Sequence, residues 1–324
     1  VEEKTSVAPK EYRLVSCEED SDTNLQLISF SDRYGRNIPV CENDLFMATG
    51  WWTAYNIKNV IEWQNKVYDV KNNTLIYFIQ DFEPGFYPWS SRYLLADSTY
   101  RLSIPTIAIF NSFLLKEYFE ENNYLFSKSW SFNPSLNEKL KEILISSERE
   151  NERKKQILIY GRPSTERNAF SLIVVALKLW KEKQKDVEDW AIYSAGEEHP
   201  DIDLGGGVII HSVGKLSLEE YAKLMLESYI GISLMVSPHP SYPPLEMSTF
   251  GIKTITNNFG NKDLSNFNEN IISLLAITPT DIANNLWKLC DNYNGKGQLQ
   301  TESDYIMDQK PFGNIVEELL EILS

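Results

Sequence analysis

Cysteine is scarce in this 324-residue chain: Cys17, Cys41 and Cys290 are an odd number, far apart, in no metal-like spacing. That excludes a disulfide framework and reads as reduced, cytosolic thiols. Histidine is equally rare (His199, His211, His239), so a structural zinc site is not expected. Positive charge is also short. Lys and Arg total 31 against 46 Asp and Glu, a formal net charge of −15 and a pI near 4.8. A nucleic-acid partner would demand a basic face, and this balance argues against one. No apolar run approaches the roughly 18–20 residues that span a bilayer. The opening Val1-Glu-Glu-Lys has no signal-peptide layout and no starting Met, as in a trimmed chain.

What is present is enough apolar matter for two cores. With 42% hydrophobic and 12% aromatic residues, a chain of this length is expected to form two domains. The charged stretch 146–155 (SSERENERKK) is the best linker candidate, or else the end of a helix starting near Asn137. The spacing places domains at 1–152 and 153–311, with an apolar-striped helix at 314–323 inside a final segment 312–324.

The second half alternates between apolar runs and amphipathic stretches. Strands are expected at 156–160, 190–194, 208–211, 230–236 and 253–256, and helices at 168–183, 217–227 and 244–250. Ser217-Leu-Glu-Glu220 is a capping box that opens one of these helices. Continuous apolar strands interleaved with helices predict a parallel, doubly wound sheet. The first half is also α/β: strands at 24–30, 45–49, 74–79 and 106–110, helices at 52–61, 94–100 and 114–122.

The most informative stretch runs from Ser233 to Gly251 (SLMVSPHPSYPPLEMSTFG). A strand stops at a Pro-rich loop, and a helix follows that carries Glu246. Strand, rigid loop and helix N-terminus make a concave corner lined with backbone N–H groups, suited to a phosphate or a sugar. The segment resembles the nucleotide-sugar signature of retaining GT-B glycosyltransferases of the family-4 type. It looks closest to bacterial rhamnosyltransferases of surface-glycan assembly. The fold implied is GT-B, two Rossmann-like doubly wound domains facing a cleft. Glu246 matches the second glutamate of that family's Glu-x7-Glu motif, which binds the ribose. Pro238 stands where the first would be, so His239 or the backbone of 238–242, with Pro240 and Ser241, is expected to contact the sugar. A 6-deoxy sugar has one hydroxyl fewer to hold.

Diphosphate departure needs positive charge beside it. Gly161-Arg162 closes a strand at its carboxyl edge, and Arg167 with Asn168 stands where the family carries Lys-Gly; a guanidinium fork suits phosphate oxygens. Lys215, in Val213-Gly214-Lys215-Leu216, follows another strand at the same edge. In the first half, Asp81 and Glu83 end a strand before an aromatic loop with Tyr87 and Trp89. Carboxylates and aromatic faces together suit an acceptor sugar, with Asp81 orienting the hydroxyl or taking its proton. Trp52 and Ser112 are expected to line the same cleft, and one of Trp51 and Trp52 to enter the core. The competing structural readings are a surface ion pair for Arg162, a solvated loop lysine for Lys215, a helix-dipole partner for Glu246 and, for Asp81 and Glu83, an N-cap and salt-bridge pair in an aromatic minicore. Asp201-Ile-Asp203 is a DxD in a Gly-rich turn, and no metal is expected there.

The resemblance implies metal-independent transfer of a deoxyhexose with retention, from dTDP-L-rhamnose to a growing glycan on a lipid carrier. It needs no cofactor and places the chain in the cytoplasm near the inner membrane face. Two other readings fit the same residues: a GT-B sugar-nucleotide epimerase, and a degenerate scaffold that binds nucleotide or glycan without turnover.

Overall fold

The computed structural model describes residues 12–15, 25–28, 38–70, 73–307 and 312–323. Cys17 and the ends of the strand expected at 24–30 lie outside them. Strands β1 (Arg13–Val15) and β2 (Gln26–Ile28) form a small parallel pair. The first domain's sheet contains β3 (Phe46–Ala48), β4 (Leu75–Ile79), β5 (Thr106–Phe110) and β6 (Lys128–Ser131), parallel and adjacent in chain order. Connecting them are α1 (Trp51–Tyr68), α2 (Ser91–Ser98) and α3 (Phe113–Glu121). Period-two alternation gives this sheet two apolar faces. Leu75, Tyr77 and Ile79 pack with the helices, while Ile76 and Phe78 turn the other way.

The second sheet follows the order β10–β11–β9–β8–β12–β13–β14. Its members are β8 (Lys154–Gly161), β9 (Ala191–Gly196), β10 (Ile202–Asp203), β11 (Ile209–Gly214), β12 (Ser228–Ile232), β13 (Lys253–Asn257) and β14 (Ile271–Leu274). All pairs are parallel except β10 with β11. One face packs on α5 (Phe170–Lys183) and α8 (Pro279–Asp291) around the fully buried Trp180. The other carries α4 (Glu138–Ser146), α6 (Leu218–Glu227), α7 (Tyr242–Thr249) and α9 (Asp304–Met307). The capping box forms as expected: Ser217 Oγ accepts from the Glu220 amide at 3.2 Å, and Glu220 Oε2 from the Ser217 amide at 2.9 Å.

The stretch 146–155 is folded rather than free, and its start is the helix end expected as the alternative: Asn137 caps α4, which stops at Ser146. Then β7 (Glu150–Glu152) pairs antiparallel with β15 (Lys296–Gln298), and Lys154 starts β8. Within it Arg153 is buried, donating to the carbonyls of Met225, Ser228 and Phe250 at 2.5–3.3 Å. Leu136, Leu140 and Leu144, on α4 and just before it, pack into the second domain's core. The strand expected at 230–236 stops at Ile232. From there the chain is clasped by Asn257, which accepts from the Met235 amide at 2.7 Å and donates to its carbonyl at 3.0 Å.

The last helix, α10 (Gly313–Leu323), returns to the first domain. Ile315, Leu319 and Leu323 cover Ile76 and Ile109, and Phe312 packs against Phe132 with the rings tilted and their centroids 4.4 Å apart. Glu318 accepts from Lys128 Nζ at 3.2 Å and Trp130 Nε1 at 3.0 Å.

Gly161, the last residue of β8, sets the approach to Arg162. A methyl group there would lie 1.9 Å from Ser194 Oγ and 2.9 Å from the Phe170 ring. Gly161→Ala is therefore expected to destabilise by about 1–3 kcal/mol, the cost of overpacking, read as a lower urea midpoint at unchanged slope.

Candidate active site at the domain junction

In the second sheet the connections run to one side from β8 to β9 and β11, and to the other from β12 to β14. The order reverses between β8 and β12. In an open parallel sheet a ligand binds in the crevice outside the carboxyl ends at such a point. The loop after β8 carries Arg162 and Arg167, and the loop after β12 carries Ser237, His239, Pro240 and Ser241. The two loops are stitched together: the Val236 amide donates to the Arg167 carbonyl at 2.7 Å, and Asn168 Nδ2 to the Leu234 carbonyl at 3.1 Å. Lys215 follows β11 on the same edge, two strands from β8, or about 10 Å at ordinary strand spacing. Lys215 is exposed and Arg162 half-buried; among the described residues neither is ion-paired. Val213 packs under this edge, and Gly214 takes a left-handed φ of 64°.

The first domain meets this edge through Asp81. It is 7% exposed; its Oδ1 accepts from the Ser237 hydroxyl, and its Oδ2 lies 3.6 Å from Arg167 Nε. The Arg167 guanidinium also covers the Phe86 ring at 4.2 Å. Beside the pair a crevice of about 570 Å³ is bounded by Gly85–Pro88 from the first domain and Ser164–Arg167 and Val236 from the second. The expected acceptor loop and one expected donor arginine thus share one cavity.

Two residues here escape sequence reasoning. Ser237 lies inside the signature stretch but is an ordinary loop serine until the fold sets it against Asp81. Lys262 is fully buried, with Nζ donating to the Met235 carbonyl at 2.6 Å. Nothing in Asn261-Lys262-Asp263 marks that burial. Desolvation pushes the Lys262 ammonium down to about 7, and the nearby Asp81 charge works in the opposite direction. His239 is 5% exposed, and burial pushes its imidazole down to about 4. Its Nδ1 accepts from the Ser241 amide at 3.0 Å, so the neutral ring carries its proton on Nε2. That Nε2 is buried with no partner. Ser241, at φ 67°, holds a backbone conformation that costs a non-glycine residue about 1–3 kcal/mol, a kind of strain that collects at functional sites.

Glu246 lies on α7, where burial pushes its carboxyl up to about 7. The buried Tyr221 hydroxyl lies beside it without a well-formed hydrogen bond. No ion pair joins Glu246 to Arg162 or Lys215 among the described residues.

Several acceptor-side expectations change. Glu83 is enclosed rather than facing the cleft: it is 5% exposed, and its Oε2 accepts from the Trp51 amide at 2.6 Å and more distantly from the Tyr100 and Tyr77 hydroxyls at 3.3 and 3.5 Å. It caps α1 from outside, inside an aromatic core. Neither Trp51 nor Trp52 enters the core. Trp51 is half-buried and donates to the Tyr87 hydroxyl at 3.0 Å, while Trp52 is exposed. Trp89 is exposed against Tyr93. Ser112 caps α3, accepting from the Leu115 amide at 3.1 Å, and borders a second cavity of about 320 Å³ with Pro240 and Tyr305. The DxD is used locally. Asp201 accepts from His211 Nδ1 at 2.9 Å and the Ser212 amide at 2.8 Å, and Asp203 accepts from the Gly205 amide at 2.7 Å.

Both halves of the sequence have known counterparts. Residues 1–113 match the profile of the WsaF N-terminal domain and residues 155–287 that of the WsaF C-terminal domain, together well over half the chain. The chain belongs to the WsaF family. It is 30% identical over 268 residues to the O-antigen biosynthesis protein RfbC of Myxococcus xanthus, a match covering 82% of this chain and 19% of that protein. The chain therefore spans about a fifth of the length of this relative. In structure it is similar to WaaG, a glycosyltransferase involved in lipopolysaccharide biosynthesis, with a TM-score of 0.53 at 12% identity, over 96% of this chain and 90% of that one. It is also similar to sucrose-phosphate synthase from Thermosynechococcus elongatus, with a TM-score of 0.52 at 13% identity, over 76% of this chain and 64% of the other. At such identities the likeness speaks for the fold. That fold is GT-B.

The Glu246 environment gives a pH test. A carboxylate raised from 4.5 to about 7 on folding leaves the folded state holding more protons than the unfolded one between those values. Its contribution therefore falls as pH rises through that window. Glu246→Gln is expected to gain on the parent protein from about pH 4.5 to 7 and hold the gain above, measured by thermal melting. A constant difference across pH would refute the buried carboxyl.

Proposed function

We propose that this chain is a glycosyltransferase of surface-glycan assembly that moves a deoxyhexose, L-rhamnose from dTDP-L-rhamnose, to a growing glycan with retention. The supporting observation is the junction itself. At the switch point of the second sheet, Arg167 on the carboxyl edge contacts the buried Asp81 of the first domain, and beside that contact lies a crevice lined by both the aromatic loop and Arg167. Family membership, the O-antigen biosynthesis relative and the GT-B fold point the same way.

In this reading Arg162, Arg167 and Lys215 neutralise the departing diphosphate, with side-chain cations in place of a metal. Glu246 grips the ribose, and Val213 and Gly214 line the base. His239 offers its unpartnered Nε2–H to the sugar or a phosphate oxygen, beside Pro240 and Ser241. Asp81 orients the acceptor hydroxyl, whose proton passes to the diphosphate on the same face. Tyr87, Trp89 and Trp52 guide the acceptor glycan. Among the described residues no helix is long and apolar enough to cross a membrane. A lipid-linked acceptor would be met at the inner face of the membrane by peripheral contact.

Nucleotide sugars are screened by thermal shift, where dTDP-L-rhamnose at a hundred times its Kd should stabilise by about 2.7 kcal/mol. Arg162→Ala and Lys215→Ala should each weaken that binding by about 1.5–3 kcal/mol, the range of a charged hydrogen bond. Unchanged calorimetric affinity would remove them from the site. Asp81→Asn should keep nucleotide binding and lower transfer to glycan. Sugar epimerised without acceptor, or binding without turnover, would replace this reading with one of its two rivals.

A further inference from the structure

Asp81, Arg167, His239 and Lys262 come from the loops after β4, β8, β12 and β13, and the fold gathers them at the junction. They are unevenly placed. Arg167 is the member that borders the 570 Å³ crevice, with its side chain 26% exposed. Lys262 is fully enclosed and spends its ammonium on a neutral carbonyl. The Met235 carbonyl that holds its Nζ also accepts from the Ser237 amide at 3.0 Å, and the Ser237 hydroxyl donates to Asp81. Lys262 thus sits one residue's hydrogen bonds from Asp81 yet makes no ion pair with it. His239, the other titratable neighbour, stays uncharged at neutral pH, and Asp263 beside Lys262 is turned to the Ser265 amide at 2.9 Å.

A buried carboxylate needs a counter-charge, and losing one leaves a penalty of several kcal/mol. An anion entering the crevice would draw on the same guanidinium that serves Asp81. Asp81 would then keep the Ser237 hydroxyl and the Phe82 amide but no cation. We infer that Lys262 is a positioning residue that resolves this competition: a diphosphate entering the crevice takes Arg167 from Asp81, and Lys262 gains a proton from solvent and becomes the counter-ion of Asp81. The inference rests on the proposed donor site for its ligand class, and it adds a proton to the binding reaction that the donor reading alone does not require. The proton acceptor is the neutral amine form of Lys262, populated above about pH 7 because burial pushes its ammonium down to about 7. Asp81 thereby stays fixed for the acceptor while the phosphates hold Arg167.

The test is calorimetry of the whole chain with inorganic pyrophosphate, in buffers of different ionisation enthalpy at about pH 6 and about pH 8. With Lys262 titrating near 7, uptake should approach one proton per anion at the higher pH and fall toward zero at the lower. Lys262→Arg keeps a charge that does not titrate in this range. Its proton count should lack the pH 8 component, which also corrects for protonation of the anion itself. Lys262→Met removes the cation, and its pyrophosphate affinity should drop at both pH values. Melting curves show first whether each variant folds; if neither does, the two-pH comparison on the parent protein decides alone. Pyrophosphate bound with no extra proton at pH 8, an equal count in Lys262→Arg, or no pyrophosphate binding at all would overturn the exchange. A proton-coupled pyrophosphate site in a protein that ignores every nucleotide sugar would instead sink the donor reading and leave the exchange standing.

Discussion

Asp81 occupies a place where the two halves of this molecule touch through charge. Taking a carboxylate out of water is costly, and the structure offsets the cost with the adjacent Phe82 amide at 2.8 Å and with two groups from the opposite domain, the Ser237 hydroxyl and the Arg167 guanidinium. This makes the relation between the domains conditional. Apolar contacts across a cleft depend little on what enters it, but an ion pair at its mouth competes directly with any charged ligand. The aromatic lid that Phe86 lays over Arg167 supports the same arrangement by limiting where the guanidinium can go.

The fold was legible where local and global preferences agree. The helix α5 announces itself by apolar spacing, and α6 by its capping box. The parallel sheet of the second domain follows from short apolar strands set between them. Misreadings occurred where a distant partner decides the outcome. The run 230–236 is apolar to its end, but Asn257, over twenty residues later, clasps Met235 and takes the chain out of the sheet. The charged stretch 146–155 has a linker's composition, yet it forms an edge strand and buries Arg153 against three carbonyls.

The candidate site divides the same way. Asp81, Arg167 and His239 could be picked individually, because each ends a strand or follows one at the carboxyl edge. Their meeting could not be read, since it depends on how two domains close on one another. Glu83, two residues from Asp81, has the same chemistry and turns into the core, where it holds the first turn of α1. Lys262 is the clearest omission. Lysines are mostly exposed, and only the surrounding loops show that this one is not.

The returning helix α10 has a consequence for how the molecule is made. It covers the second face of the first sheet, so Ile76 and Ile109 wait for a cover supplied by Ile315. Lys128 and Glu318 are 190 positions apart. At synthesis rates of about 5–20 residues per second, the newborn amino-terminal half would carry an uncovered apolar face for roughly ten to forty seconds. During that interval it is a natural client for a chaperone, and the second domain must emerge before the first can be finished.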